Sequence, residues 1–256
     1  TLQGTGSSVM QVSGTFTAST NTVAYEGNGA TTIAGLTSSN AYYNLTIGQA
    51  ADGNTVTYTS GGNTEVTRVL TITSGGAGTH TFSASSSTIT LSGTTGTPFV
   101  ATGTLDGSTS TFIYTGIYAS GNTTVASGAT AAYFNLQVNN GSEIYDTAGT
   151  VTVNGDITVT AGTFDLANQS MNVAGGDVNV VGIFLGKNPV TSCNNTGTLT
   201  VSGTGNIGGA GTFSPCKLTI DGTSTLAGAL TVTGDLTINT SKSLSTGAGS
   251  YAVAIN

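Results

Sequence analysis

Apolar and polar residues alternate along most of this chain. In Gly149 to Leu166, GTVTVNGDITVTAGTFDL, Val151, Val153, Ile157 and Val159 alternate with Thr152, Asn154, Thr158 and Thr160. A period of two places one set of residues on each face of a strand. The runs are cut by Gly-Asp or Ala-Gly, so the strands are short and the turns tight. The same unit returns at Gly228 to Ser245, GALTVTGDLTINTSKSLS, and in looser form at Gly62 to Ala84. Nowhere does an amphipathic helical period appear, and no apolar run approaches the roughly 20 residues that span a bilayer.

Three markers of the form aromatic-x-Asn-Leu-x-Ile divide the chain: Tyr42 to Ile47, Tyr133 to Val138, and the degenerate Pro215-Cys216-Lys217-Leu218-Thr219-Ile220, spaced by 91 and 82 residues. Val23 to Gly27 matches Phe112 to Gly116, and Gly78 to Leu91 matches Gly162 to Val173. The chain therefore reads as one domain, 1–256, with a partial repeat at 1–41, full repeats at 42–132 and 133–214, and a closing repeat at 215–256. A repeat of this length is too long for one coil and suits several coils of about 20 to 23 residues, giving roughly a dozen coils in all. The predicted fold is all-β: a single-stranded parallel β-helix, or solenoid. No coil buries its apolar stripe alone; stacking makes the core continuous. The expected inward ladder is Leu45, Ile47, Leu70, Ile72, Phe82, Ile89, Leu91, Leu136, Val138, Val151, Val153, Ile157, Val159, Phe164, Leu166, Val173, Val178, Val180, Leu218, Ile220, Leu230, Val232, Leu236 and Ile238, with outward Thr stacked on Thr. The competing architecture is a pair of antiparallel sandwiches, for which Asp52-Gly53, Asp106-Gly107 and Asp221-Gly222 are hairpin signals. The strands follow one another too densely for it, and the repeats differ in length by whole loops.

Composition narrows the function. Charged residues are 6% of the chain, against about 25% in an ordinary domain. The enrichment in Thr, Val and Ile argues against disorder. With only Arg68, Lys187, Lys217 and Lys242 as cations, no basic stripe exists to neutralise phosphates or anchor to anionic lipid. Nucleic-acid binding and membrane insertion are not expected. The first residue is Thr1, as in a processed product or an internal fragment. Cys193 and Cys216 lie 23 residues apart, close to one coil, a spacing that stacks them side by side. A disulfide between them is expected, and with it an oxidising, extracytoplasmic setting.

The run YxNLTI, then GTVTVxGDLTIxxGTFD, then an alternating strand and Gly-Gly, resembles the repeats of secreted bacterial and archaeal surface proteins. Filamentous-haemagglutinin-like adhesins, autotransporter passengers and related fibres are the nearest likeness. The resemblance covers nearly the whole chain, but it is one of composition and period. It implies a right-handed coil and a place outside the cell or on its surface; the residues themselves do not reveal handedness.

Polysaccharide lyases and hydrolases of the β-helix type are the enzyme alternative, and no catalysis is expected. The only His is His80, aligned with Thr163 at an outward position, and the only Arg is Arg68, expected in a turn-edge salt bridge with Glu65. Asp156, Asp177 and Asp235 always follow Gly, where an Asp bonding its own backbone caps a rung. The calcium-roll nonapeptide is absent, and no metal or other cofactor is expected. Asn-x-Ser/Thr occurs at Asn44, Asn122, Asn140, Asn168, Asn194 and Asn239, about as often as this composition produces by chance. Asn122, Asn140 and Asn194 are the accessible candidates for glycosylation; Asn44 belongs to a ladder.

Neither end carries a cap, although an open solenoid end stacks on another copy unless protected. Tyr251, Val253 and Ile255 alternate with Ala, and Val9, Met10 and Val12 form a similar stretch. Both read as strands for assembly. The expected function is a structural subunit of an extracellular filament or cell-surface fibre, whose partner is another copy of itself. The alternative is an adhesin or stalk that meets a cell surface or glycans through loops such as Pro98 to Ser110 or Ile183 to Asn195.

Overall fold

The computed structural model describes residues 1–6, 9–50, 52–189, 193–194 and 196–256. It is a β-solenoid of about ten turns, almost without helix, and the paired strands run parallel. The antiparallel sandwich is thereby excluded. The chain divides into two compact units, Thr1–Tyr133 and Phe134–Asn256, a boundary one residue from the sequence repeat boundary.

The first unit holds β1 (Thr22–Tyr25), β2 (Thr31–Ile33), β3 (Tyr42–Ile47), β4 (Val56–Ser60), β5 (Thr64–Ile72) and β6 (His80–Ser83). It continues with β7 (Thr88–Leu91), β8 (Phe99–Ala101), β9 (Thr104–Asp106), β10 (Thr111–Tyr114), β11 (Thr123–Val125) and β12 (Ala131–Tyr133). Pairing runs β1-β3-β5-β7-β10 on one side and β2-β4-β6-β9-β12 on another, and β8 also lies along β5. Strands two or three apart in sequence are therefore neighbours, the signature of a coil. Leu45 pairs with Leu70, and Leu70 with Phe99; Tyr58 pairs with Phe82, and Phe82 with Leu105, so like positions stack inside. Outside, Thr46 lies on Thr71 and Thr57 on Thr81.

The second unit holds β13 (Asn135–Thr147), β14 (Val151–Val153), β15 (Ile157–Asp165), β16 (Met171–Val173), β17 (Val178–Val180), β18 (Ile183–Leu185) and β19 (Thr198–Val201). It ends with β20 (Thr204–Gly208), β21 (Thr212–Ser214), β22 (Lys217–Ile220), β23 (Thr223–Leu226), β24 (Leu230–Val232), β25 (Leu236–Ile238), β26 (Ser243–Ser245) and β27 (Val253–Ile255). Three series of strands run through it: β13-β15-β17-β20-β23-β26, β14-β16-β19-β22-β25, and the shorter β15-β18-β21 and β24-β27. Each turn thus presents three faces to one interior. Val153, Val173, Val201 and Ile220 form one buried column; Phe164, Phe184 and Phe213 form another, their ring centroids 5.4 Å apart at each step.

The expected ladder is buried throughout except at Leu236, which is half-buried, and Ile238, which is 45% exposed. Both belong to β25, whose pairing stops at β22. Turns are longer than expected, which is why about ten replace the expected dozen. Equivalent positions on successive turns are 18 residues apart from Asp221 to Asn239, 21 from Asp156 to Asp177 and 29 from Asp177 to Asn206. In these turns the extra chain leaves at corners and the strands keep their register; shifts occur instead where β3 pairs with β5 and where β13 pairs with β15.

Six fully buried tyrosines, Tyr25, Tyr42, Tyr58, Tyr114, Tyr133 and Tyr145, were absent from the expected ladder. Two pairs of them close a turn in the same way. The Ala126 N–H donates to the Tyr114 hydroxyl at 3.2 Å, the two hydroxyls meet at 2.8 Å, and Tyr133 donates to the Ala126 carbonyl at 2.9 Å. Tyr25, Tyr42 and Ala34 repeat the arrangement at 3.1, 3.0 and 2.9 Å. Each ring of three bonds satisfies both backbone groups of one half-buried alanine and both hydroxyls of two fully buried tyrosines, where an unmade bond is costly. Tyr42 and Tyr133 are the first aromatics of the first two sequence markers, and this is the physical reason for those markers. In the third marker Pro215 stands at that position, and the neighbouring Cys216 forms a disulfide with Cys193, with Cα atoms 5.6 Å apart. The bridge falls on the longest of the turns above. A covalent tie thus takes the place of the tyrosine ring.

Reducing the disulfide, or replacing both cysteines by Ser, closes no loop and should cost about 3 kcal/mol, read as a lower urea midpoint. Tyr133→Phe should cost about 1–3 kcal/mol, because it leaves the Ala126 carbonyl without a donor. Burial raises the hydroxyls of Tyr42, Tyr114, Tyr133 and Tyr145 above their ordinary value and pushes Tyr58 up to about 12. The folded chain therefore keeps protons that the unfolded chain loses above pH about 10. Stability should be unaffected by these groups below that pH and fall above it, by up to about 1.4 kcal/mol per pH unit for each tyrosine. Urea melts between pH 8 and 11.5 measure the slope.

Candidate assembly edge

His80 is not the solvated residue expected from its alignment with Thr163. It is fully buried, with Nε2 3.2 Å from Asp52 Oδ1, Nδ1 3.5 Å from Thr73 Oγ1, and its ring edge-on to Tyr58. The reason is the turn that begins at Gly48: a β-carbon there would strike the imidazole, so the absence of a side chain opens the space that His80 fills. Asp52 is held below the usual carboxylate range, first by the backbone N–H of Asn54 and also by His80. The Thr73 hydroxyl donates to the Ile47 carbonyl at 3.1 Å. An acid–base pair with a hydroxyl beside it is present in outline, but the imidazole has no exposed surface from which to meet a substrate.

Arg68 is likewise displaced from its expected partner. Its guanidinium donates to the Tyr43 hydroxyl at 2.8 Å and lies 5.6 Å from the centre of that ring, a cation–π contact. Glu65 instead accepts from the Ser38 N–H and the Ser92 hydroxyl.

The recurrent Gly-Asp pairs do something the sequence did not reveal. Asn135 Oδ1 accepts the N–H of Asp156 at 2.9 Å, Asp156 Oδ1 that of Asp177 at 2.8 Å, and Asp177 Oδ1 that of Asn206 at 2.7 Å. Each side chain caps the next turn and not its own backbone, the correction to the role expected for these residues. The glycine before each donor, Asp156, Asp177 and Asn206, follows from it. A β-carbon on Gly155, Gly176 or Gly205 would occupy the place of the oxygen from the turn before. Asn206, which follows Gly205, carries the same Gly-Asx signal as the aspartates, whereas Asn135 follows Phe134 and carries none. Asp235 stands outside this column and pairs with Lys217 at 3.2 Å. Among the described residues, no group of three or more His, Cys, Asp or Glu stands together as a metal site.

The two stretches expected to be assembly strands differ. Val9, Met10 and Val12 lie in irregular chain, half-buried, and Ser8 before them lies outside the described residues. Met10 packs inward, where its sulfur is 3.5 Å from the Tyr25 hydroxyl. The first turn is instead met by Leu2 and Gly6, which form isolated parallel bridges to Tyr25 and Thr31. At the other end β27 is a strand. Val253 and Ile255 pair in register with Leu230 and Val232, parallel. Tyr251, Val253 and Ile255 are 37%, 39% and 58% exposed, and with Ile238 they make half of the large apolar side chains exposed on the described chain.

Asn122 and Asn194 are exposed, whereas Asn140 and Asn44 are half-buried; Asn239, which is exposed, donates to Asp221 at 3.0 Å. The stretch Pro98 to Ser110, expected as a loop, contains β8 and β9, with Phe99 and Leu105 buried. Of Ile183 to Asn195, the first three residues are β18, and Val190, Thr191, Ser192 and Asn195 lie outside the described residues.

No protein-family profile, curated protein or solved structure matches this chain. The likeness to secreted surface repeats therefore rests on the repeat pattern alone. Among the described residues, no helix is long and apolar enough to cross a membrane.

Asp177→Ala should lower stability by about 1 kcal/mol, as loss of a cap does, while Asp177→Asn keeps the acceptor and should cost less than half as much. Gly176→Ala, which forces an oxygen from its place, should cost more than either. Thermal melts of the three variants rank them.

Proposed function

We propose that this chain is a structural, non-catalytic subunit of an extracellular filament or cell-surface fibre, growing by head-to-tail addition of copies of itself. The observation that carries the reading is the last turn. There β27 is paired along one edge to β24, and Ile238, Tyr251, Val253 and Ile255 expose apolar surface around it. A strand with a free edge and an apolar face is a template for another strand. The parallel pairing at both ends favours a polar, head-to-tail polymer over a two-fold dimer. The Cys193–Cys216 disulfide supports an oxidising location. The adhesin alternative is weakened by the first of its two loops being strands of the stack.

Purified chain at rising concentration should form filaments visible by negative-stain microscopy and a growing species in light scattering. Val253→Asp with Ile255→Asp should abolish growth and leave the thermal midpoint within a few degrees, since both side chains are already exposed. Monodisperse particles at high concentration, or unimpaired growth of the double variant, would overturn the reading.

A further inference from the structure

The first turn is not bare. The Leu2 N–H donates to the Ala24 carbonyl at 2.7 Å and the Leu2 carbonyl accepts from Glu26 at 2.8 Å; Gly6 does the same with Ala30 and Thr32 at 2.8 and 3.0 Å. Two isolated residues thereby occupy the edge on which a further turn would stack. The hold is slight: β1 pairs with β3 through four residues, whereas this segment is bridged to β1 and β2 through one residue each, with the Thr31 hydroxyl adding a bond of 3.3 Å to the Gly4 carbonyl. Thr1, Gln3, Gly4, Thr5 and Gly6 are exposed.

We infer that Leu2 to Gly6 is a placeholder, displaced from the first turn when the last turn of a second copy docks there. This rests on the filament reading and adds to it the receiving surface and a brake on assembly. Three observations favour a second copy as the occupant. The edge already accepts parallel chain at Tyr25 and Thr31. The last turn offers parallel strands with apolar side chains at alternate positions, Leu236 with Ile238 and Val253 with Ile255. Ile238, Val253 and Ile255 among them are exposed at that end. An incoming turn would replace two bridges with strands of three residues, and cover apolar surface that Leu2 alone cannot.

The glycines of the first turn make the brake separable from the fold. A β-carbon on Gly27 would collide with the Gly4 carbonyl, and one on Gly29 would press on the Thr5 side chain. Gly27→Ala should therefore expel the segment, with Gly29→Val as a second variant should the first fail to fold, as judged by circular dichroism. The lag before filament growth should shorten on the order of tenfold, the scale of one or two net backbone hydrogen bonds. Hydrogen exchange on wild-type chain gives an independent reading: on assembly the amides of Leu2 and Gly6 should lose protection, while those of Glu26 and Thr32 keep it against the incoming strand. Filaments in which Leu2 and Gly6 stay protected, from a chain whose Gly27→Ala form grows no faster, would overturn the placeholder and leave the filament standing. No filaments from any form would overturn both.

Discussion

Everything in this fold depends on one strand lying parallel on the next in fixed register. A three-residue strand such as Val151–Val153 has no stability of its own; its backbone groups and its apolar side chains are satisfied only by the turns on either side. The stack therefore has to solve a problem that a closed sandwich does not, namely how each turn comes back to the same register after a corner of variable length. Three devices do this. Tyrosine pairs gather the backbone of Ala34 and Ala126, the Asn135-Asp156-Asp177-Asn206 column ties each corner to the next, and the Cys193–Cys216 bridge spans the corner where most chain has been added.

These devices share a logic. The tyrosine rings and the Asn-Asp column bring a polar side chain to a backbone group and the bridge joins two side chains, so each is blind to the number of residues between. This is how turns of 18 and 29 residues coexist in one unit without a register shift in the strands between them. It also accounts for the scarcity of charge. The surface is held by hydroxyl and amide ladders, in which Thr on Thr at successive turns brings no repulsion, whereas a repeated charge at the same spacing would.

Much of the architecture was legible in the sequence because it is written in period-two alternation, and alternation survives whatever the corners do. Val151 and Val153 point inward on pattern alone. The tyrosines were not legible for the opposite reason: Tyr133 is inward because its hydroxyl finds Tyr114 and Ala126, and partners so far apart in sequence leave no local pattern. His80 failed for a related cause. Its alignment with Thr163 set β6 against β15, strands of different sheets, whereas alternation with Phe82 puts His80 on the inward face, in the space that Gly48 leaves open. Of the assembly stretches, Tyr251 to Ile255 has the alternation of a strand and its last three residues form one, while Val9 to Val12 lies in irregular chain. The disulfide was readable because a spacing near one turn is all that side-by-side cysteines require.

The placement of the cations has a consequence for proteolysis. Arg68 lies over Tyr43 from β5 and Lys217 holds Asp235 from β22, both on strands of the stack. Trypsin-like proteases, which cut after basic residues in extended, yielding backbone, meet at these two a chain that does not yield. Lys187, 3.8 Å from Asp165, lies past the end of β18, and Lys242 sits in the exposed last turn. Of the four cations, these two stand where the backbone is most open to a protease.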